Sequence, residues 1–318
     1  MSRKQRFART VGALILGLAA LAAPSPAAAQ PAAAGIERAL DGLLEDVYNE
    51  HRVNRVASYF TADYVEHDAR IAPGLTGLRG YLRDLFTGFP DLTATVLVSH
   101  VDNDRAMVFV SWHGHQTGPF AGQPASGKEL TLVTSELFEF RGQKVAEHWD
   151  TVDYSVLKPF GVAPQLETQP REPELSGCHT DTEKANAARI IEAADVVMTQ
   201  HRLDLADRYY QQDYQHHNFQ RPAVDGGLEA FRQFFASNFV TFPDLSVRID
   251  HVLAQGDRVS VSATWSGHFT GDFHGVPPTG QLLVMHTSDQ YRFGADGKVA
   301  EHWEVVDYSS FAAAGIPL

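Results

Sequence analysis

One ordered set of short motifs occurs twice along this chain, and that duplication constrains its fold more than any other feature. Phe89-Pro90-Asp91-Leu92 returns as Phe242-Pro243-Asp244-Leu245, and Trp112-x-Gly114-His115 returns as Trp265-x-Gly267-His268. The hexapeptide from Lys144 to Trp149 recurs unchanged from Lys298 to Trp303. Asp63-Tyr64 with His67 matches Asp213-Tyr214 with His217, and Val152-Asp153-Tyr154-Ser155 matches Val306-Asp307-Tyr308-Ser309. Order is kept throughout, and the offset grows only from 150 to 154. A period of that length is the size of a domain, so the chain reads as two copies of one domain rather than a solenoid.

The copies are assigned to residues 36–162 and 184–318, with a polar, proline-bearing linker over 163–183. Residues 1–29 are of another kind. Arg3, Lys4, Arg6 and Arg9 precede the apolar run from Val11 to Ala23, and Ala27-Ala28-Ala29 offers a small-residue cleavage site. These parts in this order read as a signal peptide, which implies a periplasmic or secreted mature protein. No later run reaches the roughly 18 apolar residues of a membrane helix. The net charge is −13 and becomes more acidic without the basic leader, which argues against nucleic acid or an anionic membrane as partner. Cys178 is the only cysteine, so no internal disulfide can form.

Each copy opens with a helical stripe: Ile36, Leu40, Leu43, Leu44, Val47 and Tyr48 in the first, and Ala187, Ile190, Ile191, Ala194, Val197 and Met198 in the second. Thr180-x-x-Glu183 supplies a capping box for the latter. A shorter helix is expected near Leu78 to Phe86 and near Leu228 to Phe239. The period then changes to strands, with turn clusters at Asp102-Asn103-Asp104, at Arg141-Gly142-Gln143 and at Gly294 to Gly297. Helices followed by an antiparallel meander give an α+β domain. A strongly curved sheet around the helices leaves a cone with a mouth, rimmed by the hairpins Gly118 to Gly127 and Gly271 to Gly280.

Asp296 to Trp303 resembles the closing strand of SnoaL-like polyketide cyclases, of the nuclear-transport-factor-2-like superfamily. So does Gly267-His268-x-Thr270-Gly271 followed by Gly275 to Gly280. Tyr214 to Asn218 is similar to the SnoaL-like aldol-condensation proteins. The resemblance covers about residues 36–162 and 184–318. It implies two tandem cone-shaped α+β barrels and a small hydrophobic or polyketide-like ligand. It also implies intramolecular aldol cyclisation, or a related isomerisation, by acid–base groups without cofactor or metal. A non-catalytic periplasmic binding or scaffold protein on the same fold is the alternative, because fold alone does not settle function. Relatives commonly pair sheet to sheet, so the two copies are expected to pack as a pseudo-dimer, with Trp149 and Trp303 between them.

A more distant relative, ketosteroid isomerase, implies which positions face inward. His67 and His217 then take the place of its base, and an unperturbed imidazole titrates in the range a base requires. The bland alternative is that each only ties its segment to a helix end. Glu136 and Asp289, four residues before Phe140 and Phe293, take the oxyanion side, either as neutral acids or as carboxylates paired with a neighbour. His148 and His302 map to the cavity face of the last strand. Asp68, Asp150, Asn218 and Glu304 are the expected substrate contacts. The 15 histidines form no His-x3-His ligand spacing, so no metal is expected.

Overall fold

The computed structural model describes residues 26–164, 173–221, 226–273 and 275–316. Most of the expected leader and residues 165–172 of the expected linker lie outside these. In copy one, helix α1 (Pro26–Leu43) runs into a wider π turn at Leu44–Asn49. The short α2 (Val56–Tyr59), β1 (Phe60–Glu66) and α3 (Gly74–Gly88) follow. The meander is β2 (Thr93–Asp102), β3 (Arg105–His115), β4 (Glu129–Arg141) and β5 (Lys144–Val152), closed by the short helix α4 (Tyr154–Leu157).

Copy two repeats the order with α5 (Asp181–Ala193), a π turn at Ala194–Thr199, β6 (Tyr210–Asn218) and α6 (Gly227–Thr241). Its meander is β7 (Ser246–Gln255), β8 (Arg258–His268), β9 (Leu282–Phe293) and β10 (Val299–Val306), and α7 (Ser309–Ala313) ends it. Both halves of the Thr180–Glu183 capping box form at the start of α5.

The result is two α+β domains, each an open five-stranded sheet, ordered β1-β5-β4-β3-β2 and β6-β10-β9-β8-β7. The meander strands are antiparallel. The His-bearing strand joins as a parallel edge on the last strand, so each sheet is mixed rather than wholly antiparallel. That pairing decides the site, because residues side by side in a sheet point to the same face. His216 pairs with His302, and His217 pairs with Trp303.

In copy one, Ile36, Leu43 and Val47 of the opening helix and Leu78 and Leu82 of α3 pack with Val108, Val110 and Phe138 of the sheet. The rim hairpins cross the end of the second helix so closely that a Cβ on Gly118 would sit 2.0 Å from the Thr87 oxygen. On Gly271 it would sit 2.2 Å from the Val240 oxygen, so neither position admits a side chain.

Several repeated motifs serve this architecture. Asp91 accepts from the His115 backbone N–H at 2.7 Å and meets its Nδ1 at 2.8 Å, and Asp244 holds His268 in the same way. Asp153 and Asp307 each accept from the backbone N–H two residues on, in Ser155 and Ser309. His51 and His201 take left-handed backbone at φ 54° and 57°, stack on Phe86 and Phe239, and meet the Leu92 and Leu245 carbonyls.

Side chains of both copies also meet. Met107, Phe109, Leu137 and Trp149 share an apolar cluster with Leu253 and Val305, with Trp303 at its edge. Around it His100 Nδ1 meets Ser260 Oγ at 2.6 Å, and Thr151 meets Ser288 at 2.9 Å. Buried Asp102 accepts from the Ala254 N–H at 2.8 Å and meets His179 Nε2 at 2.9 Å.

Candidate functional site

Each copy encloses a cavity between its helices and the concave face of its sheet. In copy two it measures about 270 Å³ and is walled by Phe231, Phe234, Phe235, Trp265, Met285 and Tyr291, among others. In copy one it measures about 90 Å³. Tyr48, packed edge-on against Trp112, fills space there, while Met198 holds the matching place in copy two.

The polar end of the second cavity is built by period-two alternation on three strands. Tyr214 and His216 come from β6, Thr287 and Asp289 from β9, His302 and Glu304 from β10. His302 is held from both sides: its Nε2 lies 2.7 Å from Asp289 Oδ1 and its Nδ1 lies 2.8 Å from the Tyr214 hydroxyl. Thr287 donates to the other Asp289 oxygen at 2.7 Å. His216 stacks on His302, and its Nε2 approaches Glu304 at 3.2 Å. Burial disfavours charge on both members of this last pair, but their mutual attraction outweighs it. Glu304 is drawn down to about 2, with His216, His302 and Asn218 all favouring the carboxylate, and His216 is raised.

Copy one answers with more acid. His148 lies between Glu136, 2.7 Å from Nε2, and Glu66, 3.1 Å from Nδ1. Burial opposes the imidazolium, yet the two carboxylates raise His148 well above its ordinary range. Glu66 is lowered, against its burial, chiefly by His148. Asp150 is raised well above its usual value by burial and by the charges of Asp68 and Glu136. Asp68 is turned onto Arg70.

Glu136, His148, Asp289 and His302 therefore meet in pairs inside the cavities, with Asp150 and Glu304 beside them. Asn218 reaches Glu304 and the Tyr308 hydroxyl. His67 and His217 do not join them, which corrects the base assignment. His67 stacks on Trp149 and meets Glu147 at 2.9 Å; His217 stacks on Trp303, 3.5 Å from Glu301. The reason is register. With His302 facing the cavity, its neighbour His216 must face it too, and the next residue must face away.

Among the inward groups that the sequence alone did not single out are Glu66, Tyr214 and His216. The signal was the alternation Tyr64-x-Glu66 and Tyr214-x-His216, with a tyrosine to anchor the parity.

His216, His302 and Glu304 place potential ligand atoms within 4.8 Å of one another. The arrangement fits a metal ion poorly. The imidazoles are stacked at an interplanar angle of 21°, so their in-plane lone pairs run side by side instead of converging, and both His302 nitrogens are engaged.

The family model described as SnoaL-like polyketide cyclase matches this chain twice, over residues 38–159 and 188–314. No curated protein matches it. Among solved structures, TsrD from Streptomyces laurentii is 25% identical over 40% of this chain and 93% of its own, with a TM-score of 0.37. AclR from Streptomyces galilaeus is 26% identical over 43% and 86%, with a TM-score of 0.37. A SnoaL-like protein from Jannaschia Sp. CCS1 is 26% identical over 45% and 99%, with a TM-score of 0.40.

Proposed function

The chain belongs to the SnoaL-like polyketide cyclase family, and we propose that its second copy performs cofactor-free acid–base chemistry on a small, ring-bearing carbonyl compound. Intramolecular aldol closure or a related isomerisation is the reaction class. The observation that carries this reading is His302, fixed between Asp289 and Tyr214 at the polar end of an aromatic-walled cavity.

In this mechanism the substrate ring lies among Phe231, Phe235 and Trp265, and its carbonyl oxygen meets the Tyr214 hydroxyl. When His302 Nδ1 carries a hydrogen, it donates to the Tyr214 oxygen and turns the phenolic hydrogen toward the substrate. Asp289 holds the other ring nitrogen and fixes the imidazole plane. Glu304 takes the proton from the carbon next to the carbonyl. A carboxylate held at about 2 is a weak base. Most of the rate enhancement must therefore come from stabilising the enolate oxygen through Tyr214 and His302.

Copy one favours the other reading for itself, as a non-catalytic ligand-binding or structural cone. Both nitrogens of His148 are held by carboxylates, and the cavity is a third the size. The contacts around Trp149 support a pseudo-dimer of copies within one chain. Residues 1–29 support export, which N-terminal sequencing of the mature protein tests.

The chemistry is tested by deuterium exchange at C2 of 1-tetralone, an enolisable bicyclic ketone, followed by proton NMR. Wild type accelerates exchange over an equal concentration of free imidazole, and Asp289→Asn loses most of that acceleration. A wild-type protein no better than imidazole removes the reading.

A further inference from the structure

The duplication exposes one difference between the two sites that concerns charge. In copy one, Arg70 lies 4.5 Å over the Tyr154 ring, and its guanidinium is bound by Asp68, at 2.9 Å through Nε and again through Nη2. In copy two, Arg221 takes the same place, 4.1 Å over the ring of Tyr308, the counterpart of Tyr154. Its internal acid is gone. Asn218 stands where copy one has Asp68, and gives its amide hydrogens to Glu304 and Tyr308. Among the described residues no carboxylate lies within ion-pair distance of Arg221, although the field of Asp153 reaches it. Glu304, an acid of the same cavity wall, is already paired with His216, 3.2 Å away. Arg221 lines the larger, aromatic cavity.

We propose that Arg221 is the anion-binding group of the second cavity, whose ligand is a fused-ring aromatic carrying a carboxylate. The assignment rests on the proposal above that copy two holds the ligand. A guanidinium stacked on a tyrosine presents its fork of N–H donors in one plane, the geometry a carboxylate accepts in bidentate fashion. Loss of Asp68's counterpart frees that fork, and the aromatic wall supplies the apolar contact for the ring. Copy one, with its arginine neutralised internally, has no such demand for an anion.

The test is calorimetric titration of the full chain with 2-naphthoate and with 2-naphthamide, its neutral isostere. The acid binds wild type about tenfold or more tighter than the amide, as one charge-assisted pair implies. Arg221→Gln abolishes the preference while keeping the amide's affinity. Equal binding of acid and amide to wild type overturns the assignment, as does a preference that survives Arg221→Gln, or failure of both probes to bind. Equal binding leaves the acid–base reading standing; that reading falls separately, on the exchange assay.

Discussion

His302 Nε2 and Asp289 Oδ1 lie 2.7 Å apart on neighbouring strands, and His148 Nε2 and Glu136 Oε2 repeat that contact at the same distance in the first copy. The copies diverge at the opposite ring nitrogen, which faces the Tyr214 hydroxyl in copy two and the Glu66 carboxylate in copy one. A hydroxyl can pass a proton on; an ionised carboxylate only accepts. Tyr214→Phe should therefore slow 1-tetralone exchange by roughly 10², the scale of losing one oxyanion donor, and should cost about 1–3 kcal/mol of stability because the buried His302 Nδ1 loses its partner. Unchanged exchange would remove Tyr214 as the donor to the enolate oxygen.

The His216–Glu304 pair sets a stability window. Glu304 is depressed to about 2, so its contribution is present above its ordinary value of 4.5 and is lost as pH falls toward 2. His216 is raised, so its contribution is full below its ordinary 6.5 and is lost as pH climbs through the folded value. The stability lost in Glu304→Gln should be greatest between about pH 4.5 and 6.5 and smaller on either side. Thermal unfolding of both proteins from pH 3 to 9 measures it, and a loss independent of pH would refute the pairing.

Trp149 is 6% exposed and packs among residues of both copies. Trp149→Ala should destabilise the chain by about 3–5 kcal/mol, the usual range for emptying a large buried aromatic site. Urea unfolding is the check, and a loss under about 1 kcal/mol would place the indole outside the packed core.

Asp102 joins three segments, accepting from Ala254 N–H and meeting His179 while sitting on β2. Asp102→Ala leaves the buried Ala254 N–H without its acceptor, which costs about 1–3 kcal/mol. Hydrogen exchange at that amide should speed up in step. Exchange at the wild-type rate would show that this contact does not hold the copies together.

The architecture was legible because duplication, helical stripes and turn clusters are local patterns that survive without tertiary context. Glu136, Asp289, His148 and His302 were singled out by the resemblance to ketosteroid isomerase, and they face the cavities because β4, β5, β9 and β10 keep a period-two alternation. The face of His67 and His217 was not legible. Their strand joins the sheet through a parallel pairing with the last strand, roughly 85 residues away, and carries a register shift between Phe60 and Val65. A slip of one residue exchanges His217 for His216. Arg70 and Arg221 escaped notice because they sit one position apart in the repeat, within a loop of unequal length, and only the rings of Tyr154 and Tyr308 bring them into correspondence.

The proposed function assigns the chemistry to the inward histidine of β10 and not to the conspicuous repeated histidine at the end of β6. Exchange at C2 of 1-tetralone by His302→Gln and by His217→Gln, each against wild type, measures this directly. A fall of roughly 10² is expected for His302→Gln, the scale of losing an oxyanion donor, because His302 holds and polarises the Tyr214 hydroxyl. His217→Gln, whose ring lies against Trp303 on the far face, should exchange at the wild-type rate. The reverse pattern, with His217→Gln inactive and His302→Gln normal, would contradict the assignment.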